Sequence, residues 1–153
     1  MHFSVYNLPK ILMEEAEMEY IFELDMEVRD HECDIQGVVN NGQYQNYMTH
    51  ARHKFIQSEG IDFNQLYRDG IAAMVTRVEM DYLKPLLPND EFTVKTALER
   101  KKSTRLVFLQ DIFKKDGTQV IRSRVTTVCL DVKEGFPLKL DDVFEDLFKK
   151  YGL

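Results

Sequence analysis

The sequence is short of the residues that mark several protein classes. It holds two cysteines in 153 residues, Cys33 and Cys129. That is too few for a disulfide framework and fits a reducing compartment, so a cytoplasmic location is expected. Seven glycines and four prolines, beside 44% hydrophobic and 30% charged residues, describe a folded soluble chain and not a disordered one. No apolar run approaches the length of a membrane span. Positive charge is in deficit: the net charge of −6 argues against general nucleic-acid binding and against attraction to an anionic membrane. Any anionic ligand must then be held by a local basic cluster.

The length suits one domain with a real core. Met1 to Lys10 lacks the charged start and long apolar centre of a signal peptide. Residues 1–19 read as an N-terminal extension, with a short helical turn over Met13–Glu19, and residues 20–153 as the domain. Tyr20 to Arg29 alternates apolar and polar residues, the pattern of a half-buried strand. From Gln43 to Glu59 the apolar residues Tyr44, Tyr47, Met48, Ala51, Phe55 and Ile56 recur at helical spacing. Asn40 or Asn41 is the expected N-cap and Gly60 the C-terminal glycine. Asp62 is expected to cap a short helix, Phe63 to Asp69, closed by Gly70.

Strand patterns follow over Ile71–Lys84, Glu91–Arg100, Thr104–Lys114 and Thr118–Val132. Apolar residues on both faces make Thr104–Lys114 the expected central strand. Asp116-Gly117 is a hairpin signal. Asp141 is expected to cap a final helix with Val143, Phe144, Leu147 and Phe148 on one face. One strand, one long helix, four antiparallel strands and a terminal helix make an α+β architecture. Apolar positions on the outer face suggest a partner subunit.

The chemistry-bearing stretch lies between the first strand and the long helix. It runs Asp34-Ile-Gln-Gly37-Val-Val-Asn-Asn-Gly-Gln-Tyr44, with Tyr47 and Ala51-Arg52 behind it. A carboxylate followed by a glycine turn and a helix start sits beside free backbone N–H groups. Such an arrangement can attack an electrophilic carbonyl, or activate water, and stabilise the developing oxyanion. His31, Cys33, His50 and His53 match no common zinc spacing, so no metal is expected. Cys33 with His31 or His50 as base is a weaker nucleophile candidate. Arg52 is expected to pair with Glu79 or Asp81. Arg100-Lys101-Lys102-Ser103, followed by Arg105, is the only tight basic cluster.

This stretch resembles the signature of the hotdog-fold acyl-CoA thioesterases of the 4-hydroxybenzoyl-CoA thioesterase type. The element order from about Tyr20 to Val132 resembles the same family. The resemblance implies an antiparallel sheet wrapped around one long central helix, with a C-terminal helix added here. It implies Asp34 as nucleophile or general base, the Asn41 backbone N–H as the group polarising the carbonyl, and Gly37 as the point of close substrate approach. It places Arg100 and Lys102, with Lys101 and Ser103, against the phosphates of coenzyme A. Asn40, Tyr44 and Tyr47 fall beside the substrate. The pair Asn40-Asn41 departs from the best-known members and is more similar to the branch acting on fatty-acyl thioesters, including plant enzymes. No cofactor is expected beyond the coenzyme A of the substrate. The partners implied are acyl-CoA or acyl-ACP, and a second copy in a homodimer or homotetramer with sites between subunits. A non-catalytic acyl-binding module is the competing reading. Dehydratase chemistry is disfavoured, because no His stands at the matching helix position.

Overall fold

The computed structural model describes residues 18–153. The N-terminal extension and the turn read over Met13–Glu19 therefore lie outside the described residues, apart from Met18 and Glu19, which are in neither helix nor strand. The elements run β1 (Phe22–Glu27), a 3-10 turn (Asp30–Glu32), α1 (Gln43–Ser58), α2 (Phe63–Arg68), β2 (Ile71–Tyr82), β3 (Glu91–Lys101), β4 (Arg105–Lys114), β5 (Gln119–Asp131) and α3 (Asp141–Tyr151). The strands form one antiparallel sheet in the order β1-β3-β4-β5-β2. This is the α+β hotdog arrangement, with β4 central and with β1 and β2 at the edges.

Local signals set α1 where the apolar stripe requires it. Gly60 at φ +77 lets the chain leave the helix in the left-handed region. The Gly60 N–H then reaches the Gln57 carbonyl at 3.0 Å and the Ile61 N–H reaches Ile56 at 3.2 Å, which satisfies the last carbonyls. Tyr44, Tyr47, Met48, Ala51, Phe55 and Ile56 are all buried against the sheet, none above 4% exposed. Phe55 and Ile56 pack with Leu106, Phe108 and Cys129, and with Phe144 and Leu147 of α3. Burying each large apolar side chain contributes about 1.5–3 kcal/mol. The other face of the central strands carries Ala97, Val107 and Leu109, with Met18 and Tyr20 packed against them.

A polar network joins helix to sheet inside this core. Fully buried Gln110 donates to the Met48 carbonyl (3.1 Å) and the Thr96 hydroxyl (3.2 Å). Its oxygen accepts from the Arg52 guanidinium at 2.9 Å. Arg52 thus bonds neutral Gln110, with Thr49 at 3.1 Å, and not the acids Glu79 or Asp81. Those acids sit on the outermost strand, where Glu79 pairs with Arg77.

Two further expectations are corrected. Asp141 does not cap α3; Leu140 occupies the cap position, and the Asp141 carboxylate takes both Arg100 nitrogens at 2.9 Å. The alternation of β2 is broken by a bulge between Val75 and Arg77. Asp62 does cap α2, accepting from Asn64 (2.8 Å) and Gln65 (3.3 Å).

The packing predicts where truncation is felt. Phe55→Ala should cost about 3–5 kcal/mol through the cavity it leaves. Tyr67→Ala, on a side chain 63% exposed, should cost under ~1 kcal/mol. Urea unfolding of both variants checks this, and equal losses would contradict the described core.

Candidate active site

The site begins with an anchor. After β1 the chain is held to the β2–β3 connection by Val28 N–H to Asp90 O (2.9 Å) and Asn89 N–H to Val28 O (3.2 Å). The 3-10 turn then drops the Glu32 side chain into the core, where it is 1% exposed. Its carboxylate accepts from the Arg29 backbone N–H (2.9 Å), the Arg29 guanidinium (2.8 Å) and the Tyr47 hydroxyl (2.5 Å). Burial pushes the Glu32 carboxyl up, but these donors outweigh it and hold it below the usual carboxylate range. The Tyr47 phenol is pushed up by burial and by the Glu32 charge. The Asn40 N–H also returns to the Glu32 carbonyl at 3.0 Å.

On this anchor stands a tight loop. Cys33 and Val39 pair as an isolated antiparallel bridge. Between them the Asp34 N–H reaches the Val38 carbonyl (2.9 Å) and the Gly37 N–H returns to Asp34 O (3.0 Å). Gly37 adopts φ +74, a conformation that side chains rarely take, so the turn needs a glycine there. Asp34 is half-buried, and its Oδ1 accepts from the Gln36 N–H at 2.8 Å. Among the described residues its Oδ2 has no partner, so one oxygen is held and the other is available.

Asn40 organises the start of α1. Its side chain accepts from the Gly42 N–H and its carbonyl from the Gln43 N–H, both at 2.9 Å. Gly42, not Asn40 or Asn41, occupies the cap position, though Asn40 performs the capping bond. Among the described residues nothing takes the N–H of exposed Asn41. Its carbonyl is held by the Tyr82 hydroxyl at 3.2 Å. Tyr44 lies beneath, 4% exposed, accepting from the Leu86 N–H at 3.1 Å. Its ring meets Tyr47 and Tyr82 edge-on, with centroids 6.1 and 5.7 Å apart. Tyr44 and Tyr47 thus support the site from within the core.

The structure brings Asp34, Gly37, Asn40, Asn41, Tyr44 and Tyr47 together but sets the basic cluster apart. Asp34 follows the end of β1 that pairs with Glu91, whereas Arg100 to Ser103 lie at the opposite end of β3, about 33 Å along the strand. Arg100 is bound to Asp141 and stacked over Phe148 at 4.3 Å, and Ser103 O accepts from Leu140. Lys101 and Lys102 are exposed. Cys33 is a poor nucleophile here, since burial and then Asp30, Asp34 and Glu32 push its thiol up.

Two supporting residues, Glu32 and Tyr82, carry little signal in the sequence. Glu32 was signalled only by the three-residue spacing from Arg29, and Tyr82 only by its place at the end of an alternating strand.

Comparisons with known proteins agree with this architecture. Residues 28–148 match the family described as the thioesterase-like superfamily. The chloroplastic acyl-acyl carrier protein thioesterase ATL3 of Arabidopsis thaliana is 36% identical over 117 residues, 76% of this chain and 62% of that protein. The long-chain acyl-CoA thioesterase FadM of Escherichia coli is 25% identical, covering 76% of this chain and 88% of that one. A DHNA-CoA thioesterase structure from Staphylococcus aureus superposes with a TM-score of 0.75 at 26% identity, covering 85% of this chain and 87% of its own. The chain spans only about three-fifths of the chloroplast relatives it matches.

The anchor has a pH signature. Because the folded state holds the Glu32 carboxyl low, its contribution is complete above the ordinary carboxylate pKa and is lost as pH falls through the depressed value. Tyr47→Phe should cost about 1–3 kcal/mol at neutral pH. The gap to wild type should narrow on acidification. Urea unfolding against pH reads both, and a gap independent of pH would contradict the assignment.

Proposed function

Since the chain belongs to the thioesterase-like superfamily, we propose that it hydrolyses an acyl thioester to a free acid and a thiol. One observation carries this reading: a glycine turn fixes one oxygen of the Asp34 carboxylate and leaves the other unpartnered, and its charge is felt by Tyr44 in the first turn of α1. Two routes use that geometry. In one, Oδ2 attacks the carbonyl carbon, the C–S bond breaks, thiolate leaves, and water hydrolyses the resulting anhydride. In the other, Oδ2 takes a proton from water as that water attacks. Either way the Asn41 N–H is the donor assigned to the developing oxyanion.

The favoured substrate is a fatty-acyl ester of coenzyme A, and the favoured assembly a homodimer. β2 is a 12-residue edge strand with much of its length exposed, including Met74, Val75, Val78 and Tyr82. Unpaired edges of this kind are covered in stable proteins. An antiparallel pairing of two β2 edges about a two-fold axis exchanges the ends of the sheets. The β3–β4 hairpin of a second copy then approaches the Asp34 end of the first, with its exposed Lys101 and Lys102. This supports a site completed between subunits. An acyl carrier protein as the thiol portion is the second reading, supported by the likeness to the Arabidopsis acyl carrier protein thioesterase.

A panel of acyl-CoA and acyl carrier protein thioesters, followed by thiol release, tests the proposal. Hydrolysis of the CoA esters is expected. Joint Lys101→Ala and Lys102→Ala substitution should raise KM by about five- to thirtyfold with kcat little changed, at roughly 0.5–1 kcal/mol per exposed phosphate contact. Absence of thiol release from both ester classes would overturn the proposal.

A further inference from the structure

The Asn41 N–H is aimed by bonds that other atoms of its two flanking peptides make. The peptide before it has its carbonyl, Asn40 O, bound by the Gln43 N–H at 2.9 Å. A trans peptide points its N–H opposite to its carbonyl, and among the described residues no peptide is cis. Since Asn40 O is directed at the first residue of α1, the Asn41 N–H faces away from the helix. The peptide after it is held at both ends. The Gly42 N–H is taken by Asn40 Oδ1 at 2.9 Å, and Asn41 O by the Tyr82 hydroxyl at 3.2 Å. Asn40 O, Gly42 N–H and Asn41 O are thus engaged, and among the described residues the Asn41 N–H is left over.

Two of these bonds are made within the turn itself. The third comes from another element: Tyr82 is 41 residues away, at the end of β2. It is firmly placed there. Its backbone pairs with Ile121, a fully buried core residue. The next two N–H groups, of Leu83 and Lys84, both reach Val120 O, at 2.8 and 3.3 Å. Its ring lies edge-on to Tyr44, with centroids 5.7 Å apart. The chain that follows supports the site from beneath. Leu86 donates its N–H to the Tyr44 hydroxyl at 3.1 Å and accepts from the Val39 N–H at 2.9 Å. Yet Tyr82 is itself 51% exposed, and among the described residues its hydroxyl has one hydrogen bond, to Asn41 O. A phenylalanine would make the same ring contact, so packing against Tyr44 does not call for the hydroxyl. Without it, the peptide after Asn41 is held at its N–H end alone, in an exposed turn. An oxyanion donor contributes most when it is already oriented before charge develops.

We propose that Tyr82 is a positioning residue for the oxyanion donor. Its hydroxyl locks the peptide that follows Asn41, and the Asn41 N–H keeps the direction in which the developing charge needs it. Tyr82 acts through Asn41 and has no contact with substrate. The role rests on the proposed hydrolysis, with the Asn41 N–H as its donor.

Single-turnover thiol release from an acyl-CoA ester, measured for wild type, Tyr82→Phe, Asn41→Pro and the double variant, tests this. Tyr82→Phe keeps the ring against Tyr44 and removes only the hydroxyl. Its rate at saturation should fall about three- to tenfold, the worth of one neutral hydrogen bond, with the half-saturating concentration changed less than about twofold. Asn41→Pro deletes the N–H itself, and proline is well tolerated where a helix opens. It should cost about a hundredfold, as loss of an oxyanion donor does. With the donor gone, Tyr82→Phe should add less than about twofold, although Tyr82 still bonds the Asn41 carbonyl. A hydroxyl with a structural role alone would cost the same factor in both backgrounds. That equal loss would overturn the role, as would a Tyr82→Phe rate within about twofold of wild type or a loss confined to half-saturation. Should Asn41→Pro fail to fold, the rate and half-saturation of Tyr82→Phe alone decide the matter. No thiol release by wild type from any ester removes the hydrolysis and this role together. Release indifferent to Tyr82→Phe removes this role and leaves the hydrolysis.

Discussion

One buried carboxylate holds the functional end of this protein together. Glu32 draws the 3-10 turn onto the core through Arg29 and Tyr47, and its own carbonyl receives the Asn40 N–H. Through those bonds the end of β1, the Asp34 loop and the first turns of α1 become one unit. A carboxylate in this position is costly unless every donor is present. The loop is therefore positioned by a polar interaction that tolerates little rearrangement, while hydrophobic packing holds the rest of the helix. The division suits a site: the core supplies stability, and the anchor supplies placement.

The sheet adds a second constraint. Because the strand order is β1-β3-β4-β5-β2, the Asp34 loop and the basic hairpin come out at opposite ends of one chain. A cluster that looks like the phosphate-binding half of the same site is about 33 Å along β3 from where β1 ends. Arg100 has a structural task as well, tying the hairpin to α3 through Asp141 and Phe148. In the proposed dimer, a second copy paired through the exposed β2 edge brings Lys101 and Lys102 toward the carboxylate.

What could be seen in the sequence was local. The apolar stripe of α1, Gly60 at its end, the Asp62 cap and the Asp116-Gly117 turn each depend on residues within a few positions of one another, and each is where the pattern put it. The Asp34-to-Tyr44 spacing belongs to the same class, since loop and helix start are contiguous. Long-range partnerships were not legible. Arg52 chose Gln110 across 58 residues, Asp141 chose Arg100 across 41, and Tyr82 reached Asn41 across 41. Composition and periodicity contain no record of these distances. Glu32 was hidden for another reason: in a strongly acidic loop, one glutamate is indistinguishable from its neighbours until burial singles it out.

The proposed chemistry needs a single carboxylate, Asp34, at a thioester carbonyl. The most direct measurement is the single-turnover rate of thiol release, with enzyme in excess over an acyl-CoA ester, for wild type and Asp34→Asn. The substitution keeps the shape of the turn and removes the charge. The account predicts a fall of about a hundredfold or more, the loss expected when a general base or nucleophile is removed. A rate within about twofold of wild type, with the fold intact, would contradict it.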